Sequence, residues 1–428
     1  MTTVEATTSQ APAGAPLTVH RSWRVPIAYG VFTLAALLVL VVYGRGGTTE
    51  FTFHGGSAEG LELPSLPLGV RTTSIVTVVL ALVGCVAGAV LVQRGRRAPL
   101  WLTTLFAADL LTGFLSWSAA GHTLPVVALL SGSLALSVPL IFGALGGVIC
   151  ERVGIVNIAI EAQLLAGAFV AAVGASATGS VVVGLVSAMA AGMLVSFVLS
   201  AFAIRTLVDQ VIVGVVLNAL VLGLTSFLYS SVLVSNTQSL NTAPQLSVIE
   251  IPVLSAIPVL GPVLFRQTVI VYLMYVAVAA VTFGLYKTRW GLRLRAVGEH
   301  PQAADTVGIG VSRTRLWNVA LAGAVTGLGG AYYTLAAVNS FTKNITSGAG
   351  FIALAAVIFG RWNPARATLA ALLFGFASNL QNVLGILGSP VPSDFLLMLP
   401  YVVTIFAVAG LVGQVRGPAA VGRPYVKG

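Results

Sequence analysis

The sequence is poor in charge. Of 428 residues, 22 Lys or Arg and 12 Asp or Glu make up only 8%, against 57% hydrophobic, whereas a soluble domain carries roughly a quarter charged residues. That is too little charge to cover ordinary globular domains, so the apolar residues must face lipid. The two cysteines, Cys85 and Cys150, lie in apolar runs and exclude a disulfide scaffold. The four histidines, His20, His54, His122 and His300, form no H-E-x-x-H or paired Cys/His spacing, so no metal site is expected. There is no Gly-Lys pair, hence no P-loop to cradle ATP phosphates. No acid or hydroxyl sits in a nucleophile, base and orienting-group pattern, so no enzyme chemistry is expected and any ATP hydrolysis would have to occur on another chain. The net charge of +10 is not gathered into a basic stripe with interleaved aromatics, which excludes a nucleic-acid surface.

What the sequence has instead is apolar runs. A membrane helix needs about 20 mostly apolar residues, and twelve candidates are centred in 26–43, 72–92, 100–119, 125–148, 156–175, 181–203, 211–232, 268–286, 316–337, 349–360, 367–385 and 395–413. The expected fold is an all-α polytopic membrane protein with about 12 transmembrane segments. Segment 349–360 is short for a span, and a half-helix or re-entrant segment is the alternative, tolerable where protein or a polar cavity surrounds it. With the N-terminus inside, every Lys and Arg except Arg45, Arg71, Arg266 and Lys343 falls on the inner side. That bias sets both termini in the cytoplasm.

The divisions expected are a disordered cytoplasmic tail at 1–25, an N-terminal extension of about three spans at 26–120, a core at 121–415 whose largest inner loop is 287–315, and a cytoplasmic tail at 416–428. The first apolar run lacks a small-residue cleavage site and reads as a retained span. Glu50 to Phe53 alternates as a strand would, and the Pro-punctuated outer loop at 233–267 reads as a compact irregular cap.

An acid within a span is costly and is a functional candidate by default. In NIAIEAQ, Asn157 and Glu161 are four apart, which on a helix sets them on one face with Gln163 turned away. They could converge on a ligand or bond neighbouring helices as polar glue. Asn218 in VLNAL offers a donor and an acceptor that suit a nucleobase or sugar hydroxyl, or an interhelical bond. Phe351, in the GAGF run, could stack on a flat ligand or simply pack. Asp109 is expected to be paired structurally, and Asn379 to be solvated at an outer end. GIVNIAIEA (154–162) and GAGFIALAA (348–356) look like a weak internal repeat that would put Asn157 and Phe351 in related positions. In the inner loop, Pro301 suits the first turn of a helix and Gly308 the position after its end, predicting a helix over 301–307 with His300 as a mediocre N-cap. A helix so short needs a docking partner.

Five ordered blocks then resemble a known family: Ala144 to Leu165, Asp209 to Asn218, Ile251 to Phe265, Thr288 to Ile309 and Gly350 to Pro364. Together they look like the integral-membrane permease subunits of bacterial ABC importers, in the branched-chain amino acid and ribose group, with ERVGIVNIAIEAQ similar to the nucleoside-uptake branch. The resemblance implies a multi-pass chain of the bacterial plasma membrane that imports nucleosides. It also implies a second permease subunit in a hetero- or homodimer, a cytoplasmic ATP-binding subunit that holds the ATP, and an external substrate-binding lipoprotein. By carry-over, Asn157, Glu161, Asn218 and Phe351 become substrate-pathway residues, and Gly298, Glu299, Pro301, Ala304 and Gly308 the ATPase-coupling element. The chain departs from the branch at Ala162, where Gly is common, and at His300, where Asn is usual. Alternatives are a sugar or branched-chain amino acid permease of the same group, the latter disfavoured because the central spans offer no Arg for a carboxylate, or a proton-coupled secondary transporter using Glu161 as relay.

Overall fold

The computed structural model describes residues 23–54, 63–96, 98–388 and 417–426, with isolated positions between 391 and 398. The tail at 1–22 and most of the expected span 395–413 lie outside the described residues. Among those described, ten helices are long and apolar enough to cross a membrane. They are α1 (Arg24–Val42), α2 (Val70–Gln93), α3 (Leu100–Ser118), α4 (Val126–Arg152), α5 (Ile160–Thr178), α6 (Val181–Arg205), α7 (Gln210–Leu233), α9 (Val269–Lys287), α12 (Val311–Ala337) and α14 (Pro364–Ile386). Shorter helices complete the set: α8 (Thr237–Leu240), α10 (Arg289–Glu299), α11 (Pro301–Thr306) and α13 (Ala349–Phe359). The segment expected at 349–360 is thus a half-helix: 11 residues at 1.5 Å each give about 16 Å, roughly half the hydrocarbon core.

Two compact units divide the chain, one of residues 1–49 and 68–121, the other of residues 50–67 and 122–428. In the first, α1, α2 and α3 pack through Tyr29, whose ring stacks on Phe106 at 4.2 Å and whose hydroxyl donates to Thr103 at 2.7 Å. Asp109 faces the Thr77 side chain on α2, but its Oδ2 is buried without a hydrogen-bond partner, so the structural pairing anticipated for this acid is incomplete.

In the second unit α12 lies against α4, α5 and α6. Small residues make this approach close: a Cβ on Gly192 would stand 2.1 Å from the Gly323 carbonyl oxygen, and one on Gly330 would stand 2.0 Å from that of Leu164. Without a hydrophobic gain between helices in lipid, such backbone proximity is what packs them. Asn379 departs from expectation. It is buried, and its Nδ2 donates to the Leu129 carbonyl at 2.7 Å, joining α14 to α4.

The strand expected near Glu50 forms, with 50–52 pairing in parallel with 123–125. The cap at 233–267 contains α8 and an antiparallel pair, Val248–Glu250 with Arg266–Thr268, closed by an Arg266–Glu250 ion pair at 2.8 Å. Asn241 anchors the cap to the segment before α13. It accepts from Phe341 N at 2.7 Å and donates to Phe341 O at 3.0 Å.

Candidate functional site where two helices begin

α4 ends at Arg152, and Gly154, at φ +96°, turns the chain into a non-helical stretch that lasts until α5 begins at Ile160. Asn157 therefore precedes the helix, and the four-residue spacing does not place it on a helical face with Glu161. Its fully buried side chain pairs instead with the Gln163 amide, at 3.1 and 3.2 Å, and Gln163 Nε2 donates onward to Ser196 on α6 at 2.9 Å. The residue read as turned away is its partner. Every polar atom of this amide pair that is buried needs such a bond, because an unpaired one costs about 1–3 kcal/mol.

Glu161, in the first turn of α5, is also buried. Its Oε1 accepts from Thr346 Oγ1 at 2.6 Å and Gly348 N at 2.9 Å, and its Oε2 accepts from Gly350 N at 2.6 Å. The carboxylate thus caps the N-terminus of α13 from another helix, satisfying N–H groups that have no intrahelical acceptor and meeting the positive end of the helix dipole. Gly348, at φ +84°, supplies the left-handed turn on which α13 starts. The depth is intermediate: a Cβ on Gly143 or Gly147 would stand 3.1 Å from the Ile160 side chain, which is about 8–14 Å along α4 from Arg152.

Asn218 on α7 serves the other helix start. Its Oδ1 accepts from Ala162 N at 2.9 Å and its Nδ2 donates to Ile158 O at 2.9 Å. Phe351 differs from these three in being 51% exposed. The proposed repeat is out of register, since α5 starts six residues after Gly154 and α13 one residue after Gly348. Asn157 and Phe351 are consequently not equivalent.

At the other end of α13 the chain turns through Arg361 and Trp362, both at positive φ, a conformation that costs a non-glycine residue of order 1–3 kcal/mol. The end of α4 holds it there. The Trp362 indole donates to the buried Glu151 carboxylate, and Arg152 Nε donates to Trp362 O at 2.9 Å. α10 in turn rests on α4, for a Cβ on Gly298 would stand 2.0 Å from Arg152 O. Trp290 Nε1 donates to Asn318 on α12 at 2.8 Å, fixing the start of α10.

Residues 129–408 match the family described as branched-chain amino acid transport system / permease component. The chain belongs to this permease family. It is 40% identical over 308 residues to the guanosine ABC transporter permease protein NupQ of Bacillus subtilis, covering 69% of this chain and 95% of that one. It is also 40% identical over 315 residues to the nucleoside ABC transporter permease protein NupC of Lactococcus lactis, covering 72% of this chain and 98% of that one. The putative glucose ABC transporter permease protein TsgC13 of Haloferax volcanii is 35% identical over 257 residues, 59% of this chain and 76% of that one. No solved structure matches.

For a permease of this family, the residues carried onto 298–308 divide into two sets. Gly298 and Ala304 are buried and dock the α10–α11 pair, whereas Glu299 is exposed, Pro301 is half-buried and opens α11, and Gly308, at φ +84°, ends it. His300 makes no side-chain cap bond. The outward surface of the pair also includes Leu292, Arg293, Gln302 and Val307, which the motif did not mark. α10 was itself hidden in a charged loop, although Trp290, Leu294 and Val297 carry the i, i+4, i+7 spacing of a helix face. Glu151, Arg152, Trp362 and Thr346 carry no such signal, because each acts through a partner about 185 or more residues away.

Proposed function

We propose that this multi-pass membrane protein is the permease subunit of an ATP-driven importer that carries nucleosides into the cell across a bacterial plasma membrane, with both termini cytoplasmic. The observation that carries the reading is 40% identity to two nucleoside permeases over 95% and 98% of their lengths. ATP binds and is hydrolysed on a separate cytoplasmic subunit that docks on α10 and α11. A second permease subunit completes the membrane dimer, and an external lipoprotein delivers the substrate.

In this reading the pathway passes the meeting point of α5 and α13. Phe351 offers the accessible aromatic surface, while Asn157, Glu161 and Asn218 hold the helix starts that shape it. A proton-relay role for Glu161 gains no support from this geometry, because both its oxygens are taken by fixed donors. The test is uptake of labelled guanosine by proteoliposomes holding the chain with its ATPase and second permease, supplied with the binding protein. ATP-dependent accumulation that excess ribose, glucose or leucine leaves unchanged is expected. Uptake on a pH gradient without ATP, or uptake of leucine or sugar in place of guanosine, overturns the reading.

A further inference from the structure

Residues 417–426, GPAAVGRPYV, belong neither to a span nor to the α10–α11 pair, yet they are tied to five places in the second unit. Ala420 N donates to Gly298 O at 2.9 Å, and Ala419 N to the Glu299 carboxylate at 3.1 Å. Gly422 N donates to Gly154 O at 3.3 Å, at the turn that leads into α5. Gly417 lies on Trp362, where a Cβ would stand 3.0 Å from the indole ring. The Tyr425 side chain packs against the core of this unit, with its hydroxyl facing the Asp305 carboxylate of α11. The fifth tie is Arg315 of α12, which is 2% exposed and donates from Nη1 to Arg423 O at 3.2 Å, while its Nε and Nη2 have no partner.

A buried guanidinium is expensive unless its donors are met. Among the described residues its one acceptor is a carbonyl of this segment, so the segment's position and the Arg315 side chain depend on each other. Pro418 and Pro424 fix φ at two points and lessen the entropy lost on docking. α11 has six residues and is too short to be stable unaided, so the packed Tyr425 side chain facing Asp305 and the Ala420–Gly298 bond just ahead of it in α10 supply support that its own helix cannot.

We propose that residues 417–425 form a strap, anchored on Arg315, that makes α10–α11, the entry to α5 and the turn after α13 move as one body. Displacement imposed on α10–α11 then reaches both helix starts at Glu161 together. The consequence for transport rests on the permease reading; the strap itself does not.

The two are tested separately. In the detergent-solubilised chain, truncation after residue 416 is expected to speed amide exchange about tenfold over 298–306 and 154–157, with α4 and α12 unchanged. Tyr425→Phe combined with Ala420→Pro in the full chain carries the same measurement without removing residues, and Arg315→Met is expected to match it. Unchanged exchange at 298–306 in all three overturns the strap. In the reconstituted importer, the same variants are expected to keep hydrolysing ATP while guanosine imported per ATP falls about fivefold or more. An unaltered ratio overturns the strap's part in coupling. A wild-type importer that shows no ATP-dependent uptake refutes the permease reading, and the exchange experiment still decides the strap.

Discussion

Glu161 and Gly350 meet twice: the carboxylate accepts the Gly350 N–H at 2.6 Å, and a Cβ on Gly350 would stand 2.3 Å from the Glu161 backbone nitrogen. The starts of α5 and α13 are therefore in backbone contact, with one carboxylate serving the donors of the half-helix. A methyl group at 350 has no room, and both neighbours are backbone that cannot swing aside. Gly350→Ala is expected to cost about 1–3 kcal/mol or more by overpacking. It will lower the unfolding temperature in detergent and the amount reaching the membrane. A Gly350→Ala protein as stable as wild type would show that the two helix starts can separate freely.

The three bonds to Glu161 predict an order. Thr346→Val removes one donor and leaves both backbone bonds, at a cost of about 1 kcal/mol. Glu161→Gln keeps an acceptor oxygen but turns an NH₂ group toward backbone N–H, at about 1–3 kcal/mol, and Glu161→Ala leaves every donor unmet and costs more. Thermal unfolding of the purified variants should rank them in that order. If Glu161→Gln instead keeps wild-type stability and alters only substrate affinity in the assembled importer, the carboxylate faces the ligand and not α13.

What could be read in the sequence depended on whether the signal was local. Long apolar runs fix their own helices through length, and the lone Pro301 and Gly308 delimit α11 because φ at each is a local matter. Asn157 was misplaced because a four-residue spacing matters only inside a helix, and nothing local shows that α5 waits until Ile160. The caps on α13 were beyond reach for a different reason. Glu161 meets residues some 185–189 positions later, and no periodicity links them.

Trp362 and Glu151 allow a test of the lower end of α13. Arg361 and Trp362 hold positive φ, so their turn persists only while its neighbours enforce it. Trp362→Phe deletes the N–H given to Glu151 together with the outer indole atoms that face Gly417, and keeps an aromatic ring at the turn. An unmet buried acceptor is expected to cost about 1–3 kcal/mol. Glu151→Gln, which retains an acceptor oxygen, should lose less. The two unfolding temperatures check this, and the double variant should fall short of the sum of the single losses, since residues in one hydrogen bond are coupled. Additive losses would mean that the bond does not stabilise the turn.

The coupling assignment makes the sharpest demand on Glu299 and Pro301, because neither is packed inside the protein as Gly298 and Ala304 are. Glu299 Oε1 lies 4.0 Å from Arg152 Nη1, and its other oxygen receives Ala419 N. Glu299→Arg brings a second cation to Arg152 and removes that acceptor, while exposed charges of this kind alter overall stability by only about 1 kcal/mol or less. Pro301→Gly loosens the first turn of α11, where proline pre-sets φ, at a cost of about 1 kcal/mol or less. Both proteins are therefore expected to insert at wild-type abundance and yet lose guanosine uptake, with the ATPase subunit no longer stimulated by loaded binding protein. Stability and transport separate here because α10 and α11 are held to the body by their buried faces and would be pushed by their exposed ones. Normal ATP-dependent uptake by both variants would move the energy-coupling contact away from α10 and α11.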